Sequence, residues 1–467
     1  MQMLGGMRMV SIEQLFEGLL QIILSGHLGK LFDRLSRKTA ILTVVPFNNL
    51  SIVLASILLY ICLSIELDST PYMILLISAM IVCAVNRLFL NAEKFIVGRD
   101  WVMVLGDNET LSNLNAILTT LDQFTNVIAP IVTGALVTIF DLRTTVAIFG
   151  IGSIVSMTSK SFFLRLLYRR NIALHVKKVD ENDDKTMILD EEENRGGKKR
   201  SVIGTYFYQS TFSAAFGMTL LFMTVMGFDG LAVGYGSSAG LPDVILGAFR
   251  SYGSFAGILG AVSYAFFEKR YSVATSGFIG LVVQQIFAVM AVISIWMRGS
   301  PKDLSGYFGN FTIQGWWHDL VHSFDGANVT STQPHIDWKH FTSDGVSLDS
   351  IFMFLIAIAS ARYGLWCLDL AITHIMQVNI PENERNTVFG VHNAICQTFS
   401  VLKDLLVIIL PLPSTFAICI LISYGFVTTG HIFFIYYLVK SKTFSTIGRR
   451  LSRLSMSSEP VEPVERL

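Results

Sequence analysis

The chain is 467 residues long, with 52% hydrophobic and 15% charged residues, and its mean hydropathy of +0.54 excludes an ordinary soluble domain. Lysine plus arginine and aspartate plus glutamate each number 35, so no charge excess points to nucleic acid or to a polyanionic partner. Cys62, Cys83, Cys367, Cys396 and Cys419 all fall in apolar runs, which reads as small buried side chains rather than a disulfide framework or a paired-cysteine metal site. No cleavable signal peptide is expected, because residues 1–10 are Gly- and Met-rich and the next apolar run leads into a loop without a cleavage site.

A bilayer crossing needs about 20 apolar residues, and about eleven runs meet that length: 12–32, 40–64, 71–97, 115–140, 144–168, 204–236, 240–267, 273–297, 349–379, 386–411 and 413–440. The expected fold class is therefore an all-α polytopic membrane protein. Basic clusters at Arg34, Arg37 and Lys38, at 165–170, at 198–200, at Lys269 and Arg270, and at 449–453 fall on alternate loops. The positive-inside rule puts those loops in the cytoplasm. The opposite loops are short or acidic apart from the insert at 299–348. That insert carries the N-glycosylation sequons at Asn310 and Asn328 on the outer side. Its His318 and His322 share a face with Trp316 and Asp319, which reads as solvated loop structure, with metal capture as the alternative. The charged stretch 171–203 divides the spans into a lobe at 1–170 and a lobe at 204–440, and 441–467 reads as a cytoplasmic tail.

Residues 98–130 form a polar hinge between two oily blocks. Arg99 and Asp100 end one run, and Asn115, Thr119, Asp122, Gln123 and Asn126 recur on one helical face of the next. Such a stripe lines either a water-filled path or a hydrogen-bonded seam between helices. No Walker loop, HExxH or GxSxG pattern occurs, so transport rather than catalysis is the default reading, with no cofactor.

Gly29-Lys30-Leu31-Phe32-Asp33-Arg34-Leu35-Ser36-Arg37-Lys38 resembles the loop signature of the major facilitator superfamily, which joins the second and third spans there. A span would then be missing before residue 12, and six plus six would be restored. Arg99-Asp100-Trp101, Asp122-Gln123-Phe124-Thr125-Asn126, Met226-Gly227-Phe228-Asp229, Arg362-Tyr363-Gly364-Leu365-Trp366-Cys367-Leu368-Asp369, Glu384-Arg385 and Gly390-Val391-His392-Asn393 resemble the ferroportin family of iron exporters over nearly the whole chain. The resemblance implies a twelve-span, two-lobed exporter of iron(II) or a related divalent metal, working by alternating access; the sequons favour a membrane reached through the secretory pathway, and the plasma membrane is the expected one. The resemblance also implies that Asp33, Arg37, Arg99, Asp100, Asp369 and Arg385 form cytoplasmic salt bridges between lobes. Thr119 stands where the family has an arginine, which implies one weaker contact.

The family's metal positions are altered. One site lies on the absent span. At the other, Gly230 and Lys403 stand where the family has a cysteine and a histidine, so the metal ligands are unknown. Gly230 also removes the anchor for a hepcidin-type hormone, whose binding is not expected. A calcium-linked site has Lys160, Ser153 and Asn48 in place of a glutamate, an asparagine and a glutamine, and retains Asn49. Asp229, Asn49, Asn115, Arg362 and His392 are the candidate path residues, and Gly217, Gly227 and Gly230 allow the helix to break near Asp229. Cys396 lies four residues beyond His392 on the same face and offers a His/Cys pair; the ordinary reading of either histidine, His374 or His392, is a hydrogen-bonding group. Besides membrane lipid and the metal, two rivals remain: an anion or metal-chelate carrier using Lys160 and Lys403, and a non-transporting regulator of a relative.

Overall fold

The computed structural model describes residues 2–65, 70–106, 110–175, 201–227, 230–302, 309, 312–315, 317, 336–343, 345–410 and 413–441. Asp229, the sequons at Asn310 and Asn328, His318 and His322 lie outside the described residues, as do 176–200 and 442–467.

The rods follow one another with short connections apart from the stretches 171–201 and 294–348. In chain order they are α1 (Gln2–Arg34), α2 (Arg37–Cys62), α3 (Thr70–Phe95), α4 (Leu111–Ile139) and α5 (Leu142–Arg170). The second set is α6 (Val202–Phe207), α7 (Phe212–Leu220), α8 (Gly230–Ser238), α9 (Asp243–Arg270), α10 (Val273–Ile293), α11 (Asp349–Asn379), α12 (Arg385–Ile409) and α13 (Phe416–Lys440). Helix starts are fixed by side-chain oxygens that accept otherwise unpaired amides: Ser36 from Thr39, Asp141 from Thr144, Ser201 from Gly204, and Ser272 from Thr275. At Asp141 the Thr144 hydroxyl also donates, and these bonds hold the carboxyl below the usual aspartate range.

Seven stretches among the described residues are long and apolar enough to cross a membrane: Arg37–Cys62, Thr70–Leu105, Leu142–Arg170, Val244–Arg270, Val273–Trp296, Asp349–Asn379 and Pro413–Lys440. The four other expected spans are helical as well, in α1, in α4, in the interrupted α6 to α8, and in α12. The polar hinge differs from expectation. Arg99 and Asp100 do not end a span; the helix runs on through a π-helical segment, Ile96–Trp101, and a last α-helical turn, Val102–Leu105. The added residue of each π turn swings Asp100 and Trp101 inward, where Trp101 packs with Phe32, Ile41 and Val44.

The expected break in the span at 204–236 is present, since α7 ends at Leu220 and α8 begins at Gly230. Gly217 serves differently from expectation. It lies inside α7, and a Cβ there would sit 2.6 Å from the Gly430 carbonyl of α13, so it permits close approach rather than a break.

α2 packs on α3 and α5, α1 on α3, and α11 on α9 and α10; taking α1 to α5 as the N-terminal bundle and α6 to α13 as the C-terminal one, α1 meets α12, and α4 meets α9, across the divide. Large apolar side chains face outward, among them Ile23, Ile139, Phe162 and Val244. Small ones mediate contact, as expected where lipid tails are as apolar as leucine and close packing must hold helices together. At the crossing of α10 and α11, Gly280 and Gly364 face each other's carbonyls, with a Gly280 Cβ position 2.8 Å from Gly364 O. In the outer insert a small sheet, β1 (Ile336–Asp337), β2 (Thr342–Ser343) and β3 (Val346–Ser347), is antiparallel in that order. Its last turn uses Gly345 at φ +84°.

Gly364→Ala forces a methyl into backbone and should destabilise the chain by about 1–3 kcal/mol, whereas Gly425→Ala meets nothing within 4 Å and should be neutral or stabilising. Thermal melts of the two purified variants beside the parent check this.

Candidate functional site

The polar residues that the sequence scatters over five stretches converge between the bundles. At one end of the divide, beside the start of α2, Asp100 is shared by two guanidinium groups. Arg37 Nε donates to its Oδ2 at 2.8 Å, Arg37 Nη2 to its Oδ1 at 3.2 Å, and Arg385 Nη1 to its Oδ1 at 3.1 Å. The Arg37, Asp100 and Arg385 side chains are 1%, 2% and 7% exposed. Arg37 also reaches across to Glu382. The first pair lies within the N-terminal bundle; Arg385 and Glu382 belong to the other, so Asp100 and Arg37 together tie the two.

Asp33 contributes in another way. Its carboxylate accepts from Asn386 N (3.0 Å) and Nδ2 (2.8 Å), and from Thr387 N and Oγ1 (both 2.7 Å). Those amides open α12, so an acid from the opposite bundle caps that helix and meets the positive end of its dipole. Gly29 makes this possible, because any Cβ there would collide with the Asn386 carbonyl.

Deeper in, the Asn115 amide donates to Gln377 Oε1 at 2.7 Å, and Gln377 Nε2 donates to Gly98 O in the π segment at 3.2 Å. Arg362 Nη2 donates to Gln123 Oε1 at 2.8 Å. Along α1, Ser25 Oγ donates to Gly390 O at 2.8 Å, and the Asn393 amide to Gln21 Oε1 at 3.1 Å. The inter-bundle hydrogen bonds among the described residues reach no farther than Gln21 and Gln123. At 1.5 Å per residue from Arg34, that is about 20 Å, roughly half of the membrane. That half of the divide is closed by polar contacts.

Several expectations need correction in detail. Arg99 and Asp369 act on each other electrostatically but are not within ion-pair distance; Arg99 lies over the Phe389 ring, 5.4 Å from its centre. The α4 stripe divides. Asn115 and Gln123 are buried in the inter-bundle seam, while Asp122 is exposed and pairs with Lys94 at 3.6 Å, and Asn126 is exposed. Asn49 lies inside the N-terminal bundle, where Ser153 Oγ donates to its carbonyl at 2.9 Å.

Both lysines have acid partners. Lys160 Nζ stands 3.0 Å from Glu93, which also accepts from Asn48 Nδ2 at 2.7 Å, and Lys403 stands 3.2 Å from Asp404. His374 Nδ1 is 2.8 Å from Tyr264 Oη. His392 Nδ1 is 3.2 Å from Tyr206 Oη, and its Nε2 is 3.7 Å from Cys396 Sγ. Among the described residues no three His, Cys, Asp or Glu side chains converge as a metal site.

Glu382, Gln377 and Glu93 were missed by sequence reasoning. Glu382 precedes α12 in an acidic ENE turn, a signal that was available; Gln377 and Glu93 sit in ordinary helical sequence and carried none. Replacing Asp100 by Asn leaves two buried guanidinium groups short of their counter-charge, a loss of about 3–5 kcal/mol. Spin labels at Lys38→Cys and Asn379→Cys should then report a larger population of long distances across the cytoplasmic end.

Comparison with known proteins gives a single direction. The family model described as Ferroportin1 (FPN1) matches residues 1–427. Ferroportin of Canis lupus familiaris is 27% identical over 506 aligned residues, covering 94% of this chain and 86% of the relative. Among solved structures, a bacterial homologue of iron transporter ferroportin, in its outward-facing state with soaked iron, superposes with a TM-score of 0.71. It is 19% identical and covers 93% of this chain and 91% of that one. A major facilitator superfamily transporter, FucP in the outward conformation, superposes with a TM-score of 0.57 at 10% identity, covering 92% of this chain and 89% of that one.

Proposed function

This chain belongs to the ferroportin family, and from that premise we propose that it exports iron(II) or a related divalent metal by alternating access, with the Asp100 cluster as its cytoplasmic gate. It is a multi-pass membrane transporter of the major facilitator fold, not an enzyme, and iron is its substrate rather than a cofactor. The observation that carries the gate is the buried sharing of Asp100 between Arg37 of one bundle and Arg385 of the other.

Alternating access needs two states of similar free energy, each closed at one end. The Arg385–Asp100 and Arg37–Glu382 pairs and the Asp33 cap exist only while the inner ends are together. Taken apart, each carboxylate and guanidinium regains water, so the desolvation recovered offsets much of the lost attraction. That near balance lets a bound ion tip the equilibrium, and the cargo shifts it only by its differential affinity for the two states.

We assign 1–170 and 204–440 as the moving lobes, with 171–203 as their linker, 299–348 as an extracellular loop and 441–467 as a cytoplasmic tail. Asp229, Asn115, Arg362 and His392 are assigned to the path. Asn49 supports it from within its bundle through Ser153. Of the six expected gate residues, Arg99 and Asp369 act through field rather than contact in the closed state. The acid partners of Lys160 and Lys403 favour a cation as cargo over an anion, because neither ammonium is free to bind one. The plasma membrane is the proposed location, with glycans at Asn310 and Asn328, and Gly230 leaves no thiol for hormone anchoring.

Cells loaded with radiolabelled iron and expressing the chain at their surface should release it faster than mock controls. Asp100→Asn should cut that release at least several-fold. Equal release from expressing and control cells, with surface protein verified by biotinylation, would overturn the exporter reading.

A further inference from the structure

The His392 and Cys396 side chains are unused by the gate, and their geometry is specific. They sit one turn apart on α12, with Nε2 and Sγ 3.7 Å apart. A tetrahedral metal ion with bonds of about 2.1 Å to nitrogen and 2.3 Å to sulfur separates those atoms by about 3.6 Å. The far ring nitrogen, Nδ1, faces Tyr206 Oη at 3.2 Å. With Nδ1–H donating to that oxygen, the lone pair of Nε2 points toward the thiol, the arrangement by which an outer hydrogen bond orients a ligating histidine. Tyr206 is buried, so its ring is held in place.

Two further groups act on this pair. Asp369 of α11 interacts electrostatically with Cys396, and Arg99 with both Cys396 and His392. His392, Cys396, Tyr206 and Asp369 all belong to the C-terminal bundle, and Arg99 alone comes from the other.

We propose that His392 Nε2 and Cys396 Sγ form a two-point seat for a soft or borderline divalent metal ion, with Asp369 as an added negative charge and Arg99 as a built-in competitor that approaches when the inner gate closes. The thiol gives up its proton to water as the metal binds, and the remaining positions are filled by water. Imidazole and thiolate together select iron(II), cobalt(II) or zinc over calcium or magnesium. A partial ligand set suits cargo that must also leave. In the closed gate Arg99 neutralises Asp369 and repels the ion; opening removes that cation with its own bundle and leaves the seat negative. The metal is therefore taken up from the cytoplasm and released when the gate closes. This deepens the export reading, and the binding step can be measured apart from it.

The test is titration of the purified full chain with cobalt(II), read by the near-ultraviolet thiolate-to-metal absorption. The band should appear in the parent, vanish in Cys396→Ser and weaken in His392→Ala. Arg99→Gln should tighten binding by about tenfold or more, because it removes a cation whose field acts on both ligands in a partly dry site. Melting curves verify that each variant is folded. In the unmodified chain, mass spectrometry should show cadmium slowing methanethiosulfonate modification of Cys396 but not of Cys83, which needs no variant at all. No band together with unprotected Cys396 would overturn the seat, even if iron export proceeds. A band that depends on Cys396 in a chain that exports nothing would overturn the export reading and leave the seat standing.

Discussion

The closed inner half of this protein depends on one carboxylate placed where it is least comfortable. Asp100 is almost wholly removed from water, and two guanidinium groups converge on it from opposite bundles. A single buried charge is costly, and a buried pair is often no more stable than an apolar contact of the same shape. Three charges sharing one site, with Glu382 completing the set, give an arrangement stable enough to hold and not so stable that it locks. That is the energetic character a gate requires.

The supporting backbone is built to deliver those charges. The π segment at Ile96–Trp101 rotates Asp100 inward at the end of α3, and it also leaves the Gly98 carbonyl facing Gln377. Gly29 and Gly390 bring α1 and α12 near enough for Asp33 to cap a helix that is not its own. Hydrogen bonds to Gln21 and Gln123 continue the closure to about mid-membrane, and Asn115 of α4 and His392 of α12, both assigned to the cargo path, lie along that stretch. Gate and path are thus two depths of one seam, so motion that parts the first also changes the charge around the second.

Much of this was legible in the chain. Composition and the run lengths gave a polytopic helical protein. The resemblance carried by the segments around Asp33, Arg99, Asp369 and Arg385 implied an inter-lobe gate. Short motifs carry such information because a charged residue in an apolar helix is too costly to keep without a use. Partners were less legible. Asp33 meets helix amides rather than an arginine in the bonds described above, Arg99 lies over Phe389, and Lys160 and Lys403 have acids beside them. Periodicity placed Asp122 and Gln123 in one stripe, yet adjacent residues differ by 100° around a helix, and one faces the seam while the other faces Lys94.

The sequence by itself determined class, span order and which residues are out of place in a membrane, because each follows from transfer free energies that are local to a segment. Tertiary structure alone decided which charges meet, how deep the closure runs, and that Tyr206 stands behind the His392–Cys396 pair. Those facts depend on contacts between residues up to several hundred positions apart, set by glycine-mediated helix approach and by one π turn. Neither leaves a periodic signal in the chain.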